Sequence, residues 1–185
     1  MNRTYSAANV ATPPQPGSLG TDMRAATFLA SLALAAPAVA QQQSLGIFAR
    51  WGAFADGPGP RCYAIAEPER RRDAREARPF ASVGYWRGRG GRGQLNIRFA
   101  REKRPGSAVL LRIDQRTFQL VGGGMQAWAP NAEADAEIVA AMRTGIDMMV
   151  ETRAVNGGRM RDHYLLRGAA TAIDAAAIAC APRRR

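Results

Sequence analysis

Residues 148–166 read MMVETRAVNGGRMRDHYLL. Two β-like runs, Met148–Val155 and Arg159–Leu166, flank Asn156-Gly157-Gly158, and an Asn-Gly pair accepts the positive φ angles of a tight hairpin turn. Moving toward the N-terminus, a second pair of runs has the same form. Ala108–Ile113 is almost continuously apolar, Thr117–Val121 alternates, and Asp114-Gln115-Arg116 separates them, which predicts another hairpin. Leu95, Ile97 and Phe99 alternate with Asn96, Arg98 and Ala100, the period of a strand with one face buried and one wet. Shorter candidates at Trp51–Phe54, Cys62–Ala66 and Ala81–Trp86 bring the expectation to about eight strands.

One segment between the two hairpins breaks this period. Residues 131–145, NAEADAEIVAAMRTG, open on a capping asparagine, place acids in the first turns, carry Arg143 near the end and stop at glycine. A helix is predicted, with Ala134, Ile138, Ala141 and Met142 on the sheet side. The alanine-rich stretch Thr171–Ala179 predicts a second, short helical segment before Cys180. Strands with a late helix point to a mainly β, single-domain sandwich or barrel-like fold with one inserted α-helix and a short C-terminal helical segment. No internal repeat and no dividing linker is visible.

The 185 residues are 46% hydrophobic and 22% charged, which is the composition of a chain that packs a core. Its formal net charge is +11, and with Lys103 as the single lysine the cations are nearly all arginine. One histidine, His163, and two cysteines, Cys62 and Cys180, are too few for zinc fingers, histidine-based metal clusters or a cysteine-dense scaffold. No metal or cofactor is expected.

The N-terminal region has the form of an address. From Met23 the chain reads MRAATFLASLALAAPAVA, with a cation at Arg24, an apolar stretch over residues 25–36 and the small triplet Ala38-Val39-Ala40. This predicts a secretory signal peptide over residues 23–40, cleaved after Ala40; the apolar stretch falls short of the roughly 20 residues that span a bilayer. Residues 1–22 are polar and read as an upstream extension before the true start at Met23. The expected mature domain is residues 41–185, without a transmembrane span, exported to a periplasm or beyond. Export carries a consequence for sulfur: in an oxidising compartment the two cysteines are expected to form a Cys62–Cys180 disulfide, the alternative being two separate buried thiols.

Several patches, taken in order, resemble the invasion-associated locus B (IalB-like) family of exported proteins from Gram-negative bacteria. They are Trp51, then Cys62-Tyr63-Ala64-Ile65, Leu110-Leu111-Arg112-Ile113-Asp114 with Phe118-Gln119-Leu120, and Ala127-Trp128-Ala129. The series continues with Ile138-Val139-Ala140-Ala141-Met142-Arg143-Thr144-Gly145, Asp162-His163-Tyr164-Leu165-Leu166-Arg167-Gly168 and Ala170-Thr171-Ala172-Ile173, ending at Cys180. The resemblance spans most of residues 47–180. It implies a secreted or periplasmic β-rich protein, associated in some pathogens with host-cell entry, and it brings no catalytic residue. Members commonly carry a further cysteine soon after the first tryptophan; Gly52-Ala53-Phe54-Ala55 has none, so the family's pairing does not transfer.

The remaining candidates are weighed by chemistry. Gly88-Arg89-Gly90-Gly91-Arg92-Gly93 fits G-x-G-x-x-G in letters only, because a strand-like Leu95-Asn96-Ile97 follows where a dinucleotide site needs a helix. We read it as a hairpin loop, and nucleic acid is not an expected partner of an exported protein. His163 invites a catalytic reading with Asp162, but neighbouring strand residues point to opposite faces, and a strand histidine without catalytic role is expected. Arg70-Arg71-Arg72, Arg75 and Arg78 are interleaved with acids. Arg87, Arg89, Arg92, Arg101, Lys103 and Arg104 have fewer acidic neighbours and form the candidate anion-binding set, against a reading in which the charge serves solubility alone. Trp51, Trp86 and Trp128 are expected as core anchors. The expected function is therefore a non-enzymatic envelope or surface factor of the invasion-associated locus B type, contacting an unidentified protein or an anionic envelope component. A periplasmic hydrolase and a structural subunit of an envelope assembly are the competing readings.

Overall fold

Side-chain parity along each strand decides which face of the sheet is covered. In the computed structural model, which describes residues 42–57, 61–69, 77–87 and 92–182, Cys62, Ala64 and Ala66 point inward while Arg61, Tyr63 and Ile65 point outward. The same alternation runs through β2 (Trp51–Asp56), β3 (Arg61–Ala66), β4 (Phe80–Trp86) and β5 (Gln94–Arg98). It continues in β6 (Val109–Ile113), β7 (Arg116–Gly123), β9 (Asp147–Arg153) and β10 (Arg159–Leu165). With β1 (Gln42–Phe48) and β8 (Gln126–Trp128) these strands form one antiparallel sheet of ten, in the order β1-β2-β3-β4-β5-β8-β7-β6-β9-β10. The expected signal segment 23–40, the extension 1–22 and Arg89 lie outside the described residues.

The sheet is curled, so that its far edge returns toward its start. Glu69 donates its backbone N–H to His163 O (2.8 Å), and the Trp51 indole N–H reaches Leu165 O (2.9 Å). Carbonyls on the outer edge of β10 thereby find donors from the β1–β2 turn and the segment after β3, which blunts an edge that would otherwise template pairing. The fold is the barrel-like form of the expected mainly β domain.

Two helices cover the inner face. Helix α1 (Ala132–Thr144) is capped by Asn131, whose side chain accepts from Ala134 N, and ends at Gly145 with Arg143 in its last turn. Its Ile138, Ala141 and Met142 are buried as predicted. Asp135 Oδ1 accepts from Leu95 N (2.8 Å) and ties the helix start to β5. Helix α2 (Ala169–Ala179) lies across β1–β4. Small residues are buried on both sides of this interface: Ala169, Ala172 and Ala176 on the helix, and Ala53, Ala64 and Ala81 on the strands. Alanine against alanine brings the helix close to the sheet and places Cys180, its C-cap residue, on Cys62 of β3. The two form a disulfide with Cα atoms 5.8 Å apart, and both cysteines are buried.

Two differences from the sequence reading concern strands and turns. The count is ten against the expected eight or so, because β1 and β8 give no periodic signal. The Met148–Leu166 hairpin exists, but only Gly157 takes a positive φ (82°). Asn156 instead accepts from Gly158 N through its side chain, and Ala154 N to Gly158 O closes a wider loop than an Asn-Gly turn would make.

The Tyr164 hydroxyl is a buried polar group without a hydrogen-bond partner among the described residues. Tyr164 is 1% exposed; burial, with the Asp162 carboxylate nearby, pushes its pKa well up. An unpaired buried hydroxyl costs stability. Tyr164→Phe should therefore leave the protein as stable or up to about 1 kcal/mol more stable, measured as a higher urea midpoint with unchanged denaturant slope. A lower midpoint would mean that the hydroxyl is satisfied in solution.

Candidate functional site

The outer face of the sheet carries three features of functional interest, each at a different place. The first is at the end where β5 leaves the sheet. The connection from Phe99 to Ala108 is held by backbone bonds from Phe99 N to Met125 O, Lys103 N to Gly124 O and Arg104 N to Arg153 O, each 2.8 Å. Val155 N to Glu102 O (3.1 Å) and a bridge between Lys103 and Ala154 complete the anchorage. An ordered backbone thus displays Arg104, with Arg153 of β9 beside it. Neither has a carboxylate partner among the described residues; Arg153 makes one bond, to Gly157 O.

The candidate anion-binding set is divided by this geometry. Arg101, Lys103 and Arg104 are together, but Lys103 is 7% exposed and its ammonium donates to Arg104 O (3.0 Å), while Arg101 is half-buried. Arg87 and Arg92 are exposed at the other end of β5, in the β4–β5 hairpin. About 16 Å of strand, five residues at roughly 3.3 Å each, separates the two groups. Arg153 was not visible as a member of the set, because it is far in sequence and joins only through the β6–β9 arrangement.

The second feature is His163. Asp162 points inward from β10, as strand parity requires, and His163 points out. Its imidazole Nε2 lies 3.0 Å from Asp147 Oδ1, a diagonal neighbour on β9. Counting the hairpin register outward from Asn156 puts Met149 opposite His163 and Asp147 diagonal to it. The shallow depression around them, about 420 Å³, is completed by Arg112, Asp114, Gln115 and Met149. Asp114 is occupied by accepting from the backbone N–H groups of Ile146 and Asp147. The arrangement offers an oriented imidazole with no hydroxyl or thiol beside it among the described residues.

The third feature is a groove of about 760 Å³ across the outer face of β3, β4, β5 and β8. Trp86 and Trp128 line it. Here the expectation of three tryptophan core anchors is corrected: Trp51 is fully buried, but Trp128 is 45% exposed and Trp86 is half-buried on the open face. The reason is parity, since Trp86 alternates with the buried Val83 and Tyr85, and Trp128 follows the buried Ala127. Tyr63 adds a ring at one side, held by a hydrogen bond from Gln42 and covered by the Arg61 guanidinium 4.8 Å from its centroid. Partial burial and the neighbouring Asp56 charge push its pKa up, against the lowering pull of Arg61. Asp135 at the far rim is likewise pushed up by burial, with the Leu95 N–H opposing.

Comparison with known proteins bears on the fold. No protein-family model matches the chain, and no curated protein matches its sequence. Among solved structures it is similar to the crystal structure of invasion associated protein B from Bartonella henselae, at 15% sequence identity and a TM-score of 0.50, over 72% of this chain and 95% of that one. At that identity the likeness is one of fold alone.

Proposed function

We propose that the protein is an exported, non-enzymatic envelope or surface-associated factor of the invasion-associated locus B type, touching anionic envelope or host-surface material through its basic end. The observation that carries this reading is the ordered Phe99–Ala108 connection, which presents Arg104 beside Arg153 with no carboxylate to neutralise either among the described residues. Guanidiniums carried on an ordered backbone, with no carboxylate partner among the described residues, can bind phosphate or carboxylate groups bidentately. The buried Cys62–Cys180 bond supports a life outside a reducing cytosol, where such bonds persist. The leader-like residues 23–40 and the fold likeness agree with it. Among the described residues no helix is long and apolar enough to cross a membrane. Among the described residues the His163–Asp147 pair has no neighbouring hydroxyl or thiol of the kind that a Ser-His-Asp hydrolase requires, which favours the binding role.

Retention on lipopolysaccharide or on vesicles containing anionic phospholipid should be strong at low salt and fade as the Debye length shrinks to about 10 Å near 0.1 M. Arg104→Glu with Arg153→Glu should lower the low-salt affinity at least about tenfold, the effect of two reversed contacts. Arg87→Glu, at the opposite end of β5, should change it little. Equal loss from Arg87→Glu, or no retention by the parent protein at low salt, would remove the assignment.

A further inference from the structure

The open groove of β3, β4, β5 and β8 has a composition that differs from the basic end, and its recognition chemistry is different. We propose that it is a binding site for an uncharged oligosaccharide, with the rings of Trp86 and Trp128 as stacking platforms and the Asn96–Gln126 amide pair as the polar reader. This goes beyond the anionic contact above and does not depend on it.

The platforms are set by backbone features. Gly84 lies two residues before Trp86 on the same face, and a Cβ there would come within 2.9 Å of the indole. The absence of that carbon leaves room for the six-membered ring of Trp86 close over the strand at Gly84. Trp128, next to Asn96 in the β5–β8 register, stands two strands away from Trp86, about 10 Å across the sheet, and about 13 Å further along it, so the two positions are about 16 Å apart. Two partly exposed indoles on one rigid sheet face the same solvent region across a groove. An aromatic face is electron-rich and apolar, and it suits the patch of C–H bonds that a pyranose ring presents on one side.

The floor beside Trp128 supplies hydrogen bonds: Asn96 pairs with Trp128 in the register, and Gln126 lies two residues further along, on the side away from Trp86. Asn96 Nδ2 donates to Gln126 Oε1 (3.3 Å). Each amide thereby orients the other, leaving Asn96 Oδ1 as an acceptor and Gln126 Nε2 as a donor. Ser82 pairs with Asn96 across β4–β5 and adds a hydroxyl. An adjacent acceptor and donor match a sugar hydroxyl, which both gives and takes, or an acetamido group. The charged groups that line the groove are engaged: Arg61 at the rim is paired with Asp56 at 3.0 Å and stacked on Tyr63, and Asp135 accepts from Leu95 N (2.8 Å). A peptide or lipid occupant would want a continuous apolar floor or unpaired backbone edges; this groove has amides in its lining and closed strand pairing beneath.

The test uses the mature chain with its disulfide intact and a panel of uncharged probes: malto-, chito-, manno- and β-gluco-oligosaccharides of three to six units. Two-dimensional NMR should show saturable shifts of the Trp86 and Trp128 indole N–H signals with at least one probe in the millimolar range. The Trp51 indole, buried and bonded to Leu165 O, should stay in place. Trp128→Ala should weaken binding about tenfold or more, the scale of removing an aromatic anchor, and Gln126→Ala should weaken it without removing a ring. Both positions are exposed, and an unchanged urea midpoint checks that each variant is folded. Binding should persist in high salt and in Arg104→Glu/Arg153→Glu, which separates it from the basic end. No saturable shift with any probe, or binding that both variants leave intact, would overturn the proposal.

Discussion

Cleaving the Cys62–Cys180 bond should cost the protein about 5 kcal/mol, the idealised loop-closure value for a bridge that spans 118 residues. A domain of this size is stable by only about 5–15 kcal/mol, so the loss is a third of its stability at the least. The bond also has a local role. Helix α2 is short, its N-cap Gly168 makes no side-chain cap bond, and it has no acid in its first turn and no base in its last. Such a helix is held by packing and by its end, and the disulfide is the covalent anchor at that end. Cys62→Ala/Cys180→Ala should shift the urea midpoint sharply down and should free α2 first, seen as early amide exchange from Ala172 to Ala179 relative to β3 and β4. A reduced protein with the parent's midpoint would show that alanine packing alone holds the helix.

The sequence carried the centre of this fold better than its margins. The β6–β7 and β9–β10 hairpins and helix α1 were legible because each has a strong local signal: alternation, a turn between runs, or a capping asparagine with Arg143 and Gly145 at the other end. Strand β1 was not, since QQSLGIF has no period and its residues are mostly exposed at a sheet edge. Strand β8, with three residues, is too short for any period to appear. The pairing of Cys62 with Cys180 followed from counting, given an oxidising destination. The functional surfaces were harder, because they are made across strands. Trp86 and Trp128 share a face only after β5 and β8 are placed side by side, an adjacency that skips β6 and β7 in sequence. Arg104 meets Arg153, and His163 meets Asp147, through register alone. Parity within a strand was readable and would have put Trp86 outside the core; neighbours between strands needed the topology.

Gly168→Ala should be among the most damaging single substitutions in the described structure. Gly168 has φ 90°, where a side chain is strained whatever its surroundings. The surroundings forbid it as well. A Cβ would sit 1.8 Å from Phe48 O and 2.6 Å from Phe48 C, which are backbone atoms of the β1–β2 turn and cannot swing aside. That turn is itself tight, with Ala49 at φ 54° and Phe48 paired to Trp51. Relief therefore requires moving either the turn, and with it Trp51 and its bond to Leu165 O, or the start of α2. Either motion opens the place where the curled sheet returns on itself. Strain of this φ costs about 1 kcal/mol or more, and displacing packed backbone adds to it, so a loss of about 3 kcal/mol or more is expected. With the disulfide intact, the far end of α2 stays tethered, and unfolding should begin at the Gly168 end. Hydrogen exchange should then quicken at Ala172 and Trp51 while Cys62 and its β4 partner Tyr85 keep their protection. A Gly168→Ala protein with the parent's midpoint would mean that the turn and the helix start are not pressed together in solution, and the closure of the sheet described here would fail with it.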